Sequence, residues 1–130
     1  MSRLRLWLPP ALLAGVIFLL SSLSQVPGAT YVSDKLAHLT IFGLLCLMTL
    51  RATHGGLKPL APGPAAAAFA LVVLWGVLDE VHQHFVPGRD ASARDVMADA
   101  LGAALAMAVW ATWRGTARIP RALGGGRRSP

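Results

Sequence analysis

The sequence predicts an all-α fold, a four-transmembrane-helix bundle with both termini cytoplasmic. Composition is the first reason: 55% of the 130 residues are hydrophobic and only 14% are charged, with a mean hydropathy of +0.55. Soluble domains carry about 25% charged residues, so a membrane class leads over an ordinary water-soluble domain. The second reason is that the apolar residues fall into four runs, over 6–23, 36–52, 65–81 and 96–113, each near the roughly 17–25 residues that cross a bilayer core as a helix. Helix breakers stand between the runs, with Pro27-Gly28 in the first connection, Gly55-Gly56, Pro59, Pro62 and Pro64 in the second and Pro87-Gly88 in the third.

The elements follow in order. The first helix is expected over 6–23, with Pro9-Pro10 suiting its first turn. Arg3 and Arg5 before an apolar run, with small residues at Gly28 and Ala29, also describe a secretory signal peptide. The length of the run and the further spans behind it favour a retained helix. The second and third runs are short and lengthen through polar ends, to helices over 34–52 and 65–85. The fourth helix covers 95–113, so that a transmembrane domain occupies 1–113 and the basic segment 114–130, with Gly124-Gly125-Gly126 and no aromatic, is expected to be a disordered cytoplasmic tail.

Charge orients this bundle. With the N-terminus inside, Arg3, Arg5, Arg51, Lys58, Arg114, Arg118, Arg121, Arg127 and Arg128 lie inside, against Lys35, Arg89 and Arg94 outside. The same topology puts every acid (Asp34, Asp79, Glu80, Asp90, Asp95 and Asp99) outside or in an outer helix end. Acids barely influence insertion, so their segregation needs another cause. The basic residues are scattered between apolar runs instead of forming a face, which argues against a nucleic-acid partner.

Helical spacing shows where the polar residues meet. Asp34 and His38 are four apart at the start of the second helix, Asp79 and Glu80 stand four and three before Gln83 at the end of the third, and Asp95 and Asp99 are four apart at the start of the fourth. Such spacings share a helix face, and an ionisable group in a membrane span carries a cost of about 2.5–3.5 kcal/mol on insertion scales. Glu80, Gln83 and Asp99 are therefore expected to converge, with Asp34 or His38, on a cavity opening outward. Asp34, Lys35, Asp90 and Arg94 lie in or beside loops and read more simply as wet helix ends. Asp79, about 100° around the helix from Glu80, is expected to face an interface or a neighbouring subunit.

These residues carry a resemblance. The stretch Gly76-Val-Leu-Asp-Glu-Val-His-Gln-His-Phe-Val-Pro-Gly-Arg89 with Ser92, Asp95, Asp99 and Gly102 resembles the signature of the VanZ-like family of membrane proteins, and Asp34-Lys35-Leu-Ala-His38 with Phe42 and Gly43 resembles its other motif. The two blocks cover about half of the chain, leaving out the first helix and the tail. The chain departs from the family in carrying Asp99 where many relatives have Asn. The resemblance implies a small polytopic protein of the cell membrane, and the family's namesake is associated with low-level resistance to the glycopeptide teicoplanin; it implies no settled activity.

Individual residues receive definite expectations. Pro87-Gly88 turns the chain so that Arg89 returns over the acids, either as a clasp on Glu80 or Asp95 or as a ligand for a carboxylate or phosphate. Ser92 is placed to cap the fourth helix. His82 and His84, two apart, cannot ligate one metal; His38 is the best ligand candidate, but without a metal-binding spacing a buried hydrogen-bonded histidine is expected, and no metal or cofactor. His54 looks incidental. Gly76 and Gly102 are expected to draw the third and fourth helices together, Cys46 to sit in the core, and Trp7, Trp110 and Trp113 to mark the inner boundary. Partners are membrane lipids, with a lipid-linked or amphiphilic ligand as the further expectation. The leading functional expectation is an accessory protein whose outward polar pocket binds an envelope lipid, precursor or amphiphile. A membrane-embedded acid-base enzyme and a proton or ion path are the alternatives, and whether the chain is an enzyme at all stays open.

Overall fold

The computed structural model describes residues 2–24 and 33–116. The expected turn at Pro27-Gly28, the small residues of the signal-peptide alternative and the tail beyond Thr116 lie outside the described residues. Four helices form: α1 (Arg3–Ser21), α2 (Asp34–Thr53), α3 (Pro62–Gln83) and α4 (Ala93–Arg114). Each is long and apolar enough to cross a membrane. Alternation of direction puts the start of α2, the end of α3 and the start of α4 at one end of the bundle, so all six acids gather there, at what is called below the acidic end.

Local chemistry sets the helix limits. Ser33 Oγ accepts the Leu36 N–H at 3.2 Å and Ser92 Oγ accepts the Arg94 N–H at 3.2 Å, so hydroxyl caps start α2 and α4. Helix α3 starts at Pro62, three residues ahead of the expected 65, because the N–H groups of a first turn have no helical partner and proline loses nothing there. The opposite correction holds in α1. That helix begins at Arg3, its first turn closed by Arg5 N–H on Ser2 O at 3.1 Å, so Pro9 and Pro10 lie inside it. They leave the carbonyls of Arg5 and Leu6 without their usual donors. Helix α3 ends at Gln83, not 85, where the chain turns through Gly88 at φ 81°.

Packing follows from small residues. Helices α2 and α4 form the most intimate pair, and α1 touches α2 and α3 but not α4. A Cβ built on Gly102 would collide with the carbonyl oxygen of Leu39, and one on Gly43 would lie 3.2 Å from Gly102 O. Gly102 thus draws α4 onto α2, not onto α3 as expected from sequence. Gly76 does serve the α3 and α4 contact, since a Cβ there would come 2.5 Å from Asp99 Oδ2. The core runs through Phe42, Leu45, Cys46 and Leu50 of α2, Ala65, Ala68 and Val72 of α3, and Ala103, Ala106 and Trp110 of α4. Leu71, Leu74 and Leu78 of α3 and Leu101, Leu105 and Val109 of α4 are exposed, the apolar exterior that a helix in lipid presents.

The basic end is tied by backbone acceptors. Trp110 Nε1 donates to Lys58 O at 3.0 Å, Arg114 donates to Leu57 O, and Leu60 pairs with Thr116 through its N–H on Gly115 O at 2.8 Å. His54, expected to be incidental, is buried at this end. Its Nε2 accepts the Ala61 N–H at 3.0 Å, so its proton is on Nδ1, which donates to Leu50 O at 2.8 Å. The imidazole therefore ties the end of α2 to the residue that opens α3.

Candidate functional site

Two groups of side chains assemble at the acidic end. The first joins α1 to the last turn of α3. Ser21 Oγ and Gln83 Nε2 both donate to Asp79 Oδ2, each at 2.8 Å, and Asp79 is 4% exposed. Asp79 faces α1 and not a free interface. Gln83 Oε1 in turn accepts from Arg89 Nη2 at 2.9 Å. At the neighbouring residues, Ser22 Oγ donates to Phe18 O at 2.7 Å, so it accepts from His82 Nε2 at 3.0 Å, and that ring packs on Phe18 at 4.4 Å between centroids.

The second group joins α2, α3 and α4. His38 Nδ1 lies 2.9 Å from Asp99 Oδ1, and Asp99 is wholly buried. The other nitrogen, Nε2, faces Glu80 Oε1 at 4.0 Å. Glu80 Oε2 accepts the Ser92 N–H at 2.7 Å, which fixes the loop before α4 against the end of α3. Lys35 Nζ pairs with Asp95 Oδ1 at 3.3 Å, bridging the first turns of α2 and α4. The groups meet at Gln83 Nε2, 3.5 Å from Glu80 Oε1.

The family model described as VanZ/LLP1 matches residues 6–114, from Leu6 in α1 to Arg114 at the end of α4. The chain belongs to the VanZ/LLP1 family. The match takes in the first helix, which the two sequence motifs left unsupported. No curated protein and no solved structure matches the chain. It is thus a VanZ/LLP1 family membrane protein with four candidate spans.

Within the VanZ/LLP1 domain, the motif residues fall into definite places. Asp34 is exposed and makes no hydrogen bond or ion pair among the described residues, and Asp90 and Arg94 are exposed too. Lys35 is not a free helix end but an ion-pair partner. Arg89 does not clasp Glu80 or Asp95. Those carboxylates are already engaged, by the Ser92 N–H and by Lys35, and Gln83 offers the neutral acceptor within reach. Ser92 caps α4 as expected and also lends its backbone N–H to Glu80.

Ser21 was not singled out from the sequence, although a hydroxyl at the end of an apolar run is a signal that a polar partner stands at the same depth. The acidic end also carries a groove. It is a shallow, open depression of about 260 Å³ between α3 and α4, lined by Val77, Val81 and Val96 with Ala91 and Ala93, and by Glu80, His84 and Ser92. Apolar walls thus meet a polar end, and Glu80 belongs both to the groove and to the buried group.

Proposed function

We propose that this VanZ/LLP1 protein is an accessory protein of the cell membrane that binds an amphiphile at its acidic end, with that end facing outward and both termini cytoplasmic. The groove beside Glu80 carries the reading. An acyl or prenyl chain fits along Val77, Val81 and Val96, while Glu80, His84 and Ser92 stand where a head group leaves the apolar region. The excess of Arg and Lys at the other end supports the orientation, through the positive-inside rule. An envelope lipid or lipid-linked precursor is the class that the family's association with glycopeptide resistance implies.

The test is lipid retention. Protein extracted gently from membranes and examined by native mass spectrometry should keep a bound lipid or lipid-linked species, and Val81→Trp, which fills the groove from an exposed position, should lose it. Equal retention by both proteins would refute the groove as the binding site.

A second reading, acid-base chemistry on a lipid-linked substrate, is favoured by one observation: Asp99 engages His38 Nδ1 and turns Nε2 toward Glu80. A carboxylate that fixes the tautomer of a histidine leaves the second nitrogen able to take a proton. Turnover of an amphiphile by the wild type, lost in His38→Gln, would favour this reading over simple binding.

A further inference from the structure

The basic end carries cations with no acid to meet them. All six Asp and Glu residues stand at the other end of the bundle, and the side chains of Arg3, Arg5 and Lys58 make no hydrogen bond or ion pair among the described residues. Such a surplus follows the positive-inside rule and by itself marks no site. The surface beside it does. An open cleft of about 550 Å³ lies between the start of α1, the end of α2 and the start of α3, with Leu6, Trp7, Ala52, Pro64 and Ala67 as walls and the exposed Arg3 among its lining. Gly55 lines it too, and a Cβ there would stand 3.6 Å from Lys58 Nζ, so a second cation borders the same opening. The cleft continues inward. Trp7 is shared with a further depression of about 230 Å³ toward mid-bundle, walled by Pro10, Ala14, Leu45, Leu71 and Val72. Thr49, which also lines this slot, keeps its hydroxyl on Leu45 O at 2.8 Å. Along α1 the two run from Arg3 to Ala14, a rise of about 16 Å at 1.5 Å per residue. That matches one leaflet of a hydrocarbon core roughly 30 Å thick.

We propose that this seam between α1 and α3 binds one anionic phospholipid, its phosphate on Arg3 and Lys58 and one acyl chain along Pro10, Ala14 and Leu71. Cations at the polar boundary, a tryptophan at the interface and an apolar slot one leaflet deep follow the order of the lipid's own parts: phosphate, glycerol and acyl chain. Charge selects the head group. A zwitterionic lipid brings its own ammonium to a place that already holds two cations and no carboxylate, so phosphatidylglycerol is preferred to phosphatidylcholine. A free phosphate meets the cations but leaves the slot empty. The inference does not rest on amphiphile binding at the acidic end, since the seam shares no residue with the groove beside Glu80.

The experiment titrates the full-length protein in non-ionic detergent with dioleoyl phosphatidylglycerol and dioleoyl phosphatidylcholine, and counts bound lipid by native mass spectrometry. Val81→Trp protein, with the acidic-end groove filled, is the background throughout, so that only the seam is read. One phosphatidylglycerol per chain should bind in preference to phosphatidylcholine. Arg3→Gln should weaken it about five-fold, the equivalent of about 1 kcal/mol for a basic residue at an anionic lipid surface. Arg5→Gln removes the same charge from the same end but outside the cleft, and should leave affinity within about two-fold. Ala11→Trp, which fills the slot from an exposed position, should weaken binding with both cations in place, and glycerol phosphate should not compete. Arg3, Arg5 and Ala11 are all exposed, so each variant should fold with the Tm of its background. Equal affinity for the two lipids, equal losses in Arg3→Gln and Arg5→Gln, unchanged binding in Ala11→Trp, or competition by glycerol phosphate would overturn the proposal.

Discussion

His38 and Asp99 meet across α2 and α4 through a hydrogen bond of 2.9 Å, and they are 8% and 0% exposed. Asp99 Oδ2 makes no hydrogen bond among the described residues and lies against Gly76, so the carboxylate is held by His38 on one side and by the bareness of α3 on the other. Asp99→Asn keeps an acceptor for the imidazole, whereas Asp99→Ala leaves it unpaired. Asp99→Ala should therefore be less stable than Asp99→Asn by about 1–2 kcal/mol, the range of polar contacts between helices in model membrane peptides. Reversible unfolding in mixed micelles measures the difference, and equal stability of the two variants would show that the pair is not structural.

The glycine contacts predict a graded series. Gly102→Ala places its methyl on the Leu39 carbonyl and forces α2 and α4 apart, with an expected loss of about 1–3 kcal/mol. Gly15→Ala, in α1, meets nothing within 4 Å and should be neutral, or more stable by up to about 1 kcal/mol. Equal effects of the two substitutions on unfolding would mean that the helices do not approach through Gly102.

Arg89 should couple to Gln83 and not to Glu80. Removing the bond at 2.9 Å by Arg89→Ala should lower stability by about 0.5–1.5 kcal/mol. In double-mutant cycles, Arg89→Ala with Gln83→Ala should show a coupling of at least about 0.5 kcal/mol, and Arg89→Ala with Glu80→Ala a smaller one. The reverse order would restore a clasp between Arg89 and the acid.

The four helices were legible because lipid demands long apolar runs, and runs of that length leave little else to choose. Helix ends were less so. Proline at 62 begins a helix and proline at 9 and 10 lies within one, and only the position of the preceding cap separates the cases. Helical spacing brought Glu80, Gln83, His38 and Asp99 to one depth but carried no rotation between helices. Hence spacing alone points Asp79 at an interface or a neighbouring subunit, whereas Ser21 of α1 holds it, and pairs Gly102 with α3, whereas it packs on α2. His54 was unreadable for a different reason: its partners are backbone groups of Leu50 and Ala61, which every residue type possesses.

That histidine gives a further prediction. His54→Ala strands the Ala61 N–H and loosens the joint between α2 and α3, which should lower stability by about 1–3 kcal/mol. His84→Ala, at an exposed position, should change it little. Matching effects of the two substitutions on Tm would make His54 a bystander.

Polar residues from three helices meet inside the acidic end of one bundle, and cysteine crosslinking in native membranes tests that convergence. The pairs are His38→Cys with Asp99→Cys and His38→Cys with Glu80→Cys, in a Cys46→Ala background that removes the buried native thiol. Both pairs should crosslink within one chain under mild oxidation or with a short bifunctional reagent, while His38→Cys with the distant Trp113→Cys should not. Failure of both pairs, with every single variant inserted and folded, would contradict the convergence and leave these side chains as separate wet helix ends.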